Sequence, residues 1–75
     1  MNAAQCRMAR AATGLGVREL AALAGVSQGT VSRLERGEEV REGTVATIKA
    51  ALEAAGVEFI PENGGGAGVR LRKGA

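Results

Sequence analysis

Residues 17–37 read VRELAALAGVSQGTVSRLERG, and this stretch decides the fold. Its apolar and small residues recur at helical spacing, which predicts one inward stripe across two short helices and the turn between them. The stripe consists of Leu20, Ala21, Ala24, Val26, Val31 and Leu34. The side chains left outside are polar, basic or very small: Gln28, Gly29, Thr30, Ser32, Arg33 and Arg36. Such groups suit contact with the edges of base pairs and have no catalytic character.

Capping residues set the limits of the first two helices. A helix over residues 2–12 is predicted to begin with a cap at Asn2 and to be ended by Thr13 and Gly14. Gly16 is predicted to cap a second helix that runs from Val17 to Ala24 and is closed by Gly25.

Two further helices follow from the same reasoning. Ser27 is a good N-cap for a helix over residues 28–36, and Gly37 is its expected left-handed terminator. After the polar loop EEVREG, in which only Val40 is expected to turn inward, Thr44 is predicted to cap a fourth helix. The apolar face of that helix is predicted to comprise Val45, Ile48, Ala51, Leu52 and Ala55.

The C-terminal residues predict a β-hairpin. The segments VEFI (57–60) and VRLR (69–72) have strand propensity, and PENGGGAG between them is a flexible, turn-rich connection. One face is predicted to be apolar, with Val57, Phe59, Val69 and Leu71, and the other to pair acidic with basic residues. The open edge of this hairpin, with Val57, Phe59, Val69 and Leu71, is a candidate dimer interface, and the alternative is a hairpin that only covers the core.

Composition excludes several classes of function. A chain of 75 residues holds one small domain. Because it has a single aromatic residue, Phe59, its stability is expected to depend on a partner subunit. The chain has no histidine and one cysteine, so no disulfide, metal site or catalytic residues are expected, and Cys6 is interpreted as a small buried hydrophobe. The GGG run at 64–66 lacks the lysine of a phosphate-binding loop. Without a leader or a long apolar run, we expect a cytoplasmic, nucleoid-associated protein that no membrane, cofactor or small-molecule ligand engages.

Charge is distributed unevenly along the chain. Residues 1–37 hold five arginines against two glutamates, a formal charge of +3, whereas residues 38–62 carry −4. The tail adds +3 through Arg70, Arg72 and Lys73, which are either solubilising charges or contacts to flanking phosphates. This pattern is typical of a protein that turns one basic face toward a polyanion.

A family resemblance extends from Arg10 to Leu52. The matching positions are Arg10, Gly14-Leu15, Glu19-Leu20-Ala21, Ala24-Gly25-Val26-Ser27, Thr30-Val31-Ser32, Leu34-Glu35 and Gly37. In these residues the chain resembles the Cro/C1-type helix-turn-helix family, also called the XRE family, of phage and bacterial repressors. The resemblance implies a mainly α, lambda-repressor-like DNA-binding domain of four short helices over residues 1–56, followed by the β-hairpin and basic tail at 57–75.

The resemblance also assigns roles to individual residues. It implies that the third helix enters the major groove and that Gln28, Gly29, Ser32 and Arg33 contact bases. The alternative for these polar residues is an ordinary solvated helix face. Contacts to DNA phosphates are expected from Val17, Arg18, Ser27, Thr30, Arg36 and Arg41. Arg10 and Glu35 are implied to form a structural ion pair.

One departure from the family pattern lies at the start of the second helix. The family usually has a polar cap followed by Gln, whose side chain grips a phosphate, whereas this chain has Gly16 and Val17. Backbone N–H groups and Arg18 are left to bind phosphate there, so the affinity of one half-site is expected to be low. Dimeric binding offsets this.

Together these features favour a dimeric, sequence-specific regulator of transcription that binds a palindromic double-stranded operator. The alternative is a protein-interaction module, such as an antitoxin-like or polymerase-contacting adaptor, for which DNA binding is secondary.

Overall fold

The computed structural model describes residues 1–73, which contain four helices and two strands. The helices are α1 (Ala3–Thr13), α2 (Val17–Ala24), α3 (Gln28–Glu35) and α4 (Glu42–Ala54). They are followed by β1 (Val57–Ile60) and β2 (Gly68–Leu71), which pair antiparallel. The predicted fold class, mainly helical with a C-terminal β-hairpin, is confirmed.

The ends of α1 follow from local hydrogen bonds. Asn2 Oδ1 accepts the N–H of Gln5 at 2.8 Å, while Gln5 Oε1 accepts the N–H of Asn2 at 2.9 Å, so the two residues form a capping box. Gly14 ends the helix with a φ of +74°, a conformation that favours glycine. Thr13 and Gly14 end the helix as predicted, but Thr13 is itself the last helical residue, so the helix runs one residue further than expected.

The start of α4 differs from the prediction. Thr44 is not the cap: the helix begins at Glu42, and Arg41 occupies the N-cap position with its carbonyl accepting the N–H of Val45 at 3.0 Å. The acidic side chain of Glu42 suits the first turn of a helix, where it faces the positive end of the dipole. The predicted face was also one residue too long, because Ala55 is the exposed C-cap.

The core draws on all four helices and on β1. Its buried residues are Cys6, Ala9, Leu20, Ala21, Val31, Leu34, Ile48, Leu52 and Val57. Val40 packs against this cluster from the loop before α4, as predicted. Because Val57 lies inside the cluster, the hairpin shares the core of the helices.

The hairpin is tied to α1 as well as to the core. Gln5 is buried, and its amide nitrogen donates to the carbonyls of Ile60 at 3.1 Å and Gly68 at 3.0 Å. Across the strands Glu58 lies opposite Arg70, and their ion pair at 2.9 Å confirms the predicted acidic and basic pairing. The second strand begins at Gly68, one residue earlier than the prediction.

The two ends of the hairpin differ. The glycine-rich turn is held by the Glu62 carboxylate, which accepts the N–H groups of Gly64 and Gly66, each at 3.0 Å. At the other end Leu71 is 51% exposed, whereas Phe59 and Val69 pack against the core. Three of the four predicted apolar residues therefore rest on the helices, and Leu71 does not.

Candidate nucleic-acid interface

The turn between α2 and α3 fixes the relative position of the two helices. Gly25 ends α2 with a φ of +69°, and the N–H of Val26 bonds to the Ala21 carbonyl at 3.0 Å. The side chain of Val26 packs against the core. Ser27 then caps α3, since its hydroxyl accepts the N–H of Thr30 at 3.0 Å. These three turn residues let both helices bury their apolar sides in one core.

The outer face of α3 presents the predicted base-contacting residues. Gln28, Gly29 and Arg33 are exposed, and Ser32 is half-buried. Residues four apart lie above one another on a helix, so Gly29 and Arg33 form one row beside Gln28 and Ser32. From Gln28 to Glu35 the helix rises about 10 Å, a little less than the width of the major groove. Neither Gln28 nor Arg33 is covered by the hairpin or turned toward the core.

Hydroxyl groups link the cap of α3 to Arg33. The side chains of Ser27 and Thr30 share a hydrogen bond of 2.8 Å, and Arg33 Nη2 donates to Thr30 Oγ1 at 3.4 Å. Ser27 and Thr30, both predicted to contact phosphate, are therefore hydrogen-bonded to each other, and Thr30 also accepts a bond from Arg33.

Arg10 and Glu35 form an ion pair that joins α1 to the end of α3. Arg10 donates from Nε at 2.6 Å and from Nη2 at 2.7 Å to the two oxygens of the Glu35 carboxylate. The Glu35 side chain is only 9% exposed. This bidentate pair joins the last residue of α3 to α1.

Two further α1 residues bond to Glu35, and sequence reasoning missed both. The Cys6 thiol donates to Glu35 Oε2 at 3.3 Å, and Arg7 Nη1 donates to the backbone carbonyl of Glu35. Cys6 is fully buried as predicted, but it is also a hydrogen-bond donor. Its place one helical turn before Arg10 is the signal that could have revealed this.

The network controls the protonation of its members. Burial raises the pKa of Glu35, but the hydrogen bonds from Arg10 and Cys6 and the charges of Arg10 and Arg7 outweigh it, so the pKa is lowered. Burial, together with the bond to Glu35, raises the pKa of the Cys6 thiol to about 12. At neutral pH the carboxylate is therefore charged and the thiol is protonated.

Arg36 has an acidic partner that sequence reasoning also missed. Its Nε donates to Glu38 Oε2 at 2.6 Å, and both side chains are largely exposed. The signal was the sequence Arg-Gly-Glu across the Gly37 turn, where φ is +81°. Arg36 was predicted to contact phosphate, and in this structure it is bound to a carboxylate.

The remaining predicted phosphate contacts lie at helix starts. Val17 packs its side chain against the core, so only its backbone N–H is available there, while Arg18 and Arg41 are exposed. Glu19 folds over the start of α2: a side chain at Gly16 would collide with its carboxylate. A phosphate approaching this helix end would therefore meet a negative charge.

A surface depression of about 400 Å³ lies apart from α2 and α3. Its lining residues are Met1, Glu42, Val45, Ala46 and Lys49. It is open to solvent.

Comparison with known proteins places these observations in a family. Within residues 1–73 no helix combines the length and apolar character needed to cross a bilayer. A search of curated proteins found no match to the chain.

A family model described as a helix-turn-helix domain matches residues 3–59, about three quarters of the chain, and this range includes all four helices. Domains of this kind are DNA-binding modules. The chain therefore belongs to the helix-turn-helix domain family.

Proposed function

We propose that the protein is a dimeric, sequence-specific DNA-binding regulator of transcription of the Cro/C1 type, which reads the major groove with α3. The exposure of Gln28 and Arg33 on the outer face of α3 carries this proposal. The core side of the same helix holds Val31 and Leu34, so the rest of the domain keeps the polar side chains outward. A reading helix needs this arrangement. The proposed role places the protein on the chromosome, in the cytoplasm.

Each base-contacting residue has a chemical role. The amide of Gln28 pairs with adenine, and the guanidinium of Arg33 pairs with O6 and N7 of guanine. Gly29 leaves bare backbone, against which a base edge or a thymine methyl group fits closely. Ser32 is half-buried, so its short side chain reaches only groups that come close to the helix.

Phosphate contacts surround this face. We assign them to the side chains of Arg18, Ser27, Thr30, Arg36 and Arg41 and to the backbone N–H of Val17. The start of α2 has Gly16 and Val17 in place of a polar cap and Gln, and the carboxylate of Glu19 lies beside it. A single half-site is therefore expected to bind DNA weakly.

Dimerisation compensates by making the second engagement effectively intramolecular. We propose that residues 1–56 bind DNA and that the hairpin and tail, residues 57–75, join two copies through an open strand edge on a palindromic operator. Leu71 supports this, since it is a large apolar side chain that the helices leave half exposed. Val57, Phe59 and Val69 anchor the edge to the core.

DNA reading is tested by selecting binding duplexes from a random-sequence pool and then titrating them in mobility-shift assays. We expect the wild type to enrich a palindromic site and the Gln28→Ala/Arg33→Ala variant to lose that preference. Asn63→Ala/Lys49→Ala is the matched control, because it removes one amide and one cation outside α2 and α3. If the Gln28→Ala/Arg33→Ala variant binds every duplex as the parent does, the reading helix is refuted and an interaction module is favoured.

The dimer edge is tested by sedimentation equilibrium. Leu71→Glu is expected to shift the protein toward the monomer, whereas Leu23→Glu, which changes a leucine on α2 that is 61% exposed, is expected to leave the oligomeric state unchanged. Equal dimer fractions in Leu71→Glu and wild type would contradict the proposed edge.

A further inference from the structure

The guanidinium of Arg36, which we assign to a DNA phosphate, is bound to the carboxylate of Glu38. The Arg36–Glu38 ion pair is formed between two exposed side chains, with relative exposures of 59% and 50%. Since α3 ends at Glu35, both residues lie just beyond its last turn, and the N–H of Glu38 bonds to the carbonyl of Arg33. An external anion that reaches this place finds the guanidinium already bound.

The backbone holds Glu38 in this place. Gly37 adopts a left-handed conformation, and the N–H of Glu38 then bonds to the Arg33 carbonyl at 3.0 Å. The hydrogen bond from Arg36 and the charges of Arg36 and Arg33 lower the pKa of Glu38, so it is ionised at neutral pH. The carboxylate is therefore bonded to the guanidinium of Arg36, and the charge of Arg33 also acts on it.

Helix electrostatics do not account for an acidic residue here. The C-terminal end of a helix carries partial negative charge, so a carboxylate beside the end of α3 is unfavourable unless cations compensate it. Glu38 thus neutralises basic groups at a place where unpaired cations would strengthen the binding of DNA.

We propose that Glu38 restrains DNA binding by competing with backbone phosphates for Arg36. This inference rests on the proposed function and adds a residue that acts on DNA only through another side chain. A phosphate that contacts Arg36 must break the ion pair and approach a second negative charge. Because phosphate contacts supply nearly all sequence-independent affinity, the restraint limits binding to DNA of any sequence.

The test compares Glu38→Gln with Glu39→Gln on a random-sequence duplex across a range of salt concentrations. Both variants remove one negative charge from adjacent exposed residues, but only Glu38 is paired with Arg36. We expect Glu38→Gln to bind about two- to fivefold more tightly than Glu39→Gln, the range expected for loss of an exposed ion pair. We also expect its log-log salt slope to steepen by up to about 0.9, the value of one added phosphate contact.

The Arg36→Ala background makes the test specific. There, Glu38→Gln is expected to change affinity no more than Glu39→Gln does, because the cation for which phosphate competes is gone. A gain that persists without Arg36 overturns the inference in favour of a general charge effect. Equal affinities of the two single variants, or weaker binding by Glu38→Gln, also overturn it. A wild type that binds no duplex instead refutes the proposed function.

Discussion

The ion pair of Arg10 on α1 with Glu35 on α3 predicts a large loss of stability when either side chain is replaced. In Glu35→Met the carboxylate that accepts two bonds from Arg10 and one from Cys6 is lost. Methionine is apolar and unbranched, and it fills space similar to that of glutamate. The variant therefore leaves the Arg10 guanidinium without its partner.

The expected magnitude follows from burial. Breaking a buried ion pair costs about 3–5 kcal/mol. The Arg10 side chain is 25% exposed and keeps part of its hydration, so we expect a loss of about 2–3 kcal/mol in the free energy of unfolding. A domain of this length has a total of about 4–11 kcal/mol. The melting temperature should fall by roughly 10–20 °C.

The assay is urea unfolding followed by circular dichroism for Arg10→Met, Glu35→Met and the double variant. An apolar pair in place of the ion pair leaves no stranded charge, so the double variant should lose at least about 1 kcal/mol less than the sum of the two single variants. Glu53→Gln, which alters an exposed glutamate on α4, is the control and should change stability by less than about 0.5 kcal/mol.

The reasoning is refuted if Glu35→Met costs no more than Glu53→Gln, or if the effects of the two methionine substitutions add. Additive losses would mean that Arg10 and Glu35 each stabilise the fold independently, despite their contact.

Three further predictions concern the same helices. The pKa of Glu35 in the folded protein lies below its ordinary 4.5, so its contribution to stability is present above pH 4.5 and is lost as pH falls through the lowered value. The urea midpoint of the wild type should therefore fall more steeply below pH 4.5 than that of Glu35→Gln. Parallel curves for the two proteins would contradict this. The Cys6 thiol, buried and with a pKa raised to about 12, should react with a thiol reagent at pH 8 far more slowly in the native protein than in urea, whereas equal rates would show that it is accessible. Gly29→Ala should raise stability by at most about 0.5–1 kcal/mol, the range for the interior of a helix, because alanine has less conformational freedom than glycine in the unfolded chain; the added Cβ would meet only Ser27 Oγ at 3.8 Å. The same variant should weaken operator binding, and unchanged binding would exclude a close approach of DNA at Gly29.

Local sequence signals were sufficient for most of the helix limits. Asn2, Ser27 and Gly25 have side chains or backbone preferences that act within three or four residues, so their roles followed from spacing alone. Thr44 misled because threonine is a good cap by propensity, whereas the chain had already turned into the helix at Arg41. Propensity ranks possible caps, but the path of the preceding loop chooses among them.

The candidate site was predictable to the same degree. The exposure of Gln28 and Arg33 followed from the helical period of the apolar stripe. The bond from Cys6 to Glu35 spans 29 residues. The spacing within α1 puts Cys6 on the same face as Arg10, but this became a signal only together with the implied pair between Arg10 and Glu35. The pairing of Arg36 with Glu38 is local, but it requires the left-handed turn at Gly37 to direct both side chains to the same side.

The amide of Gln5 has a consequence for how the chain folds. Its two acceptors lie 55 and 63 residues further along the sequence, so a nascent chain presents this buried donor long before either carbonyl emerges from the ribosome. Until then the amide stays hydrogen-bonded to water, so the burial of Gln5 waits for the hairpin. We therefore expect the start of the first helix to reach its final packing only when both strands of the hairpin have formed, late in folding.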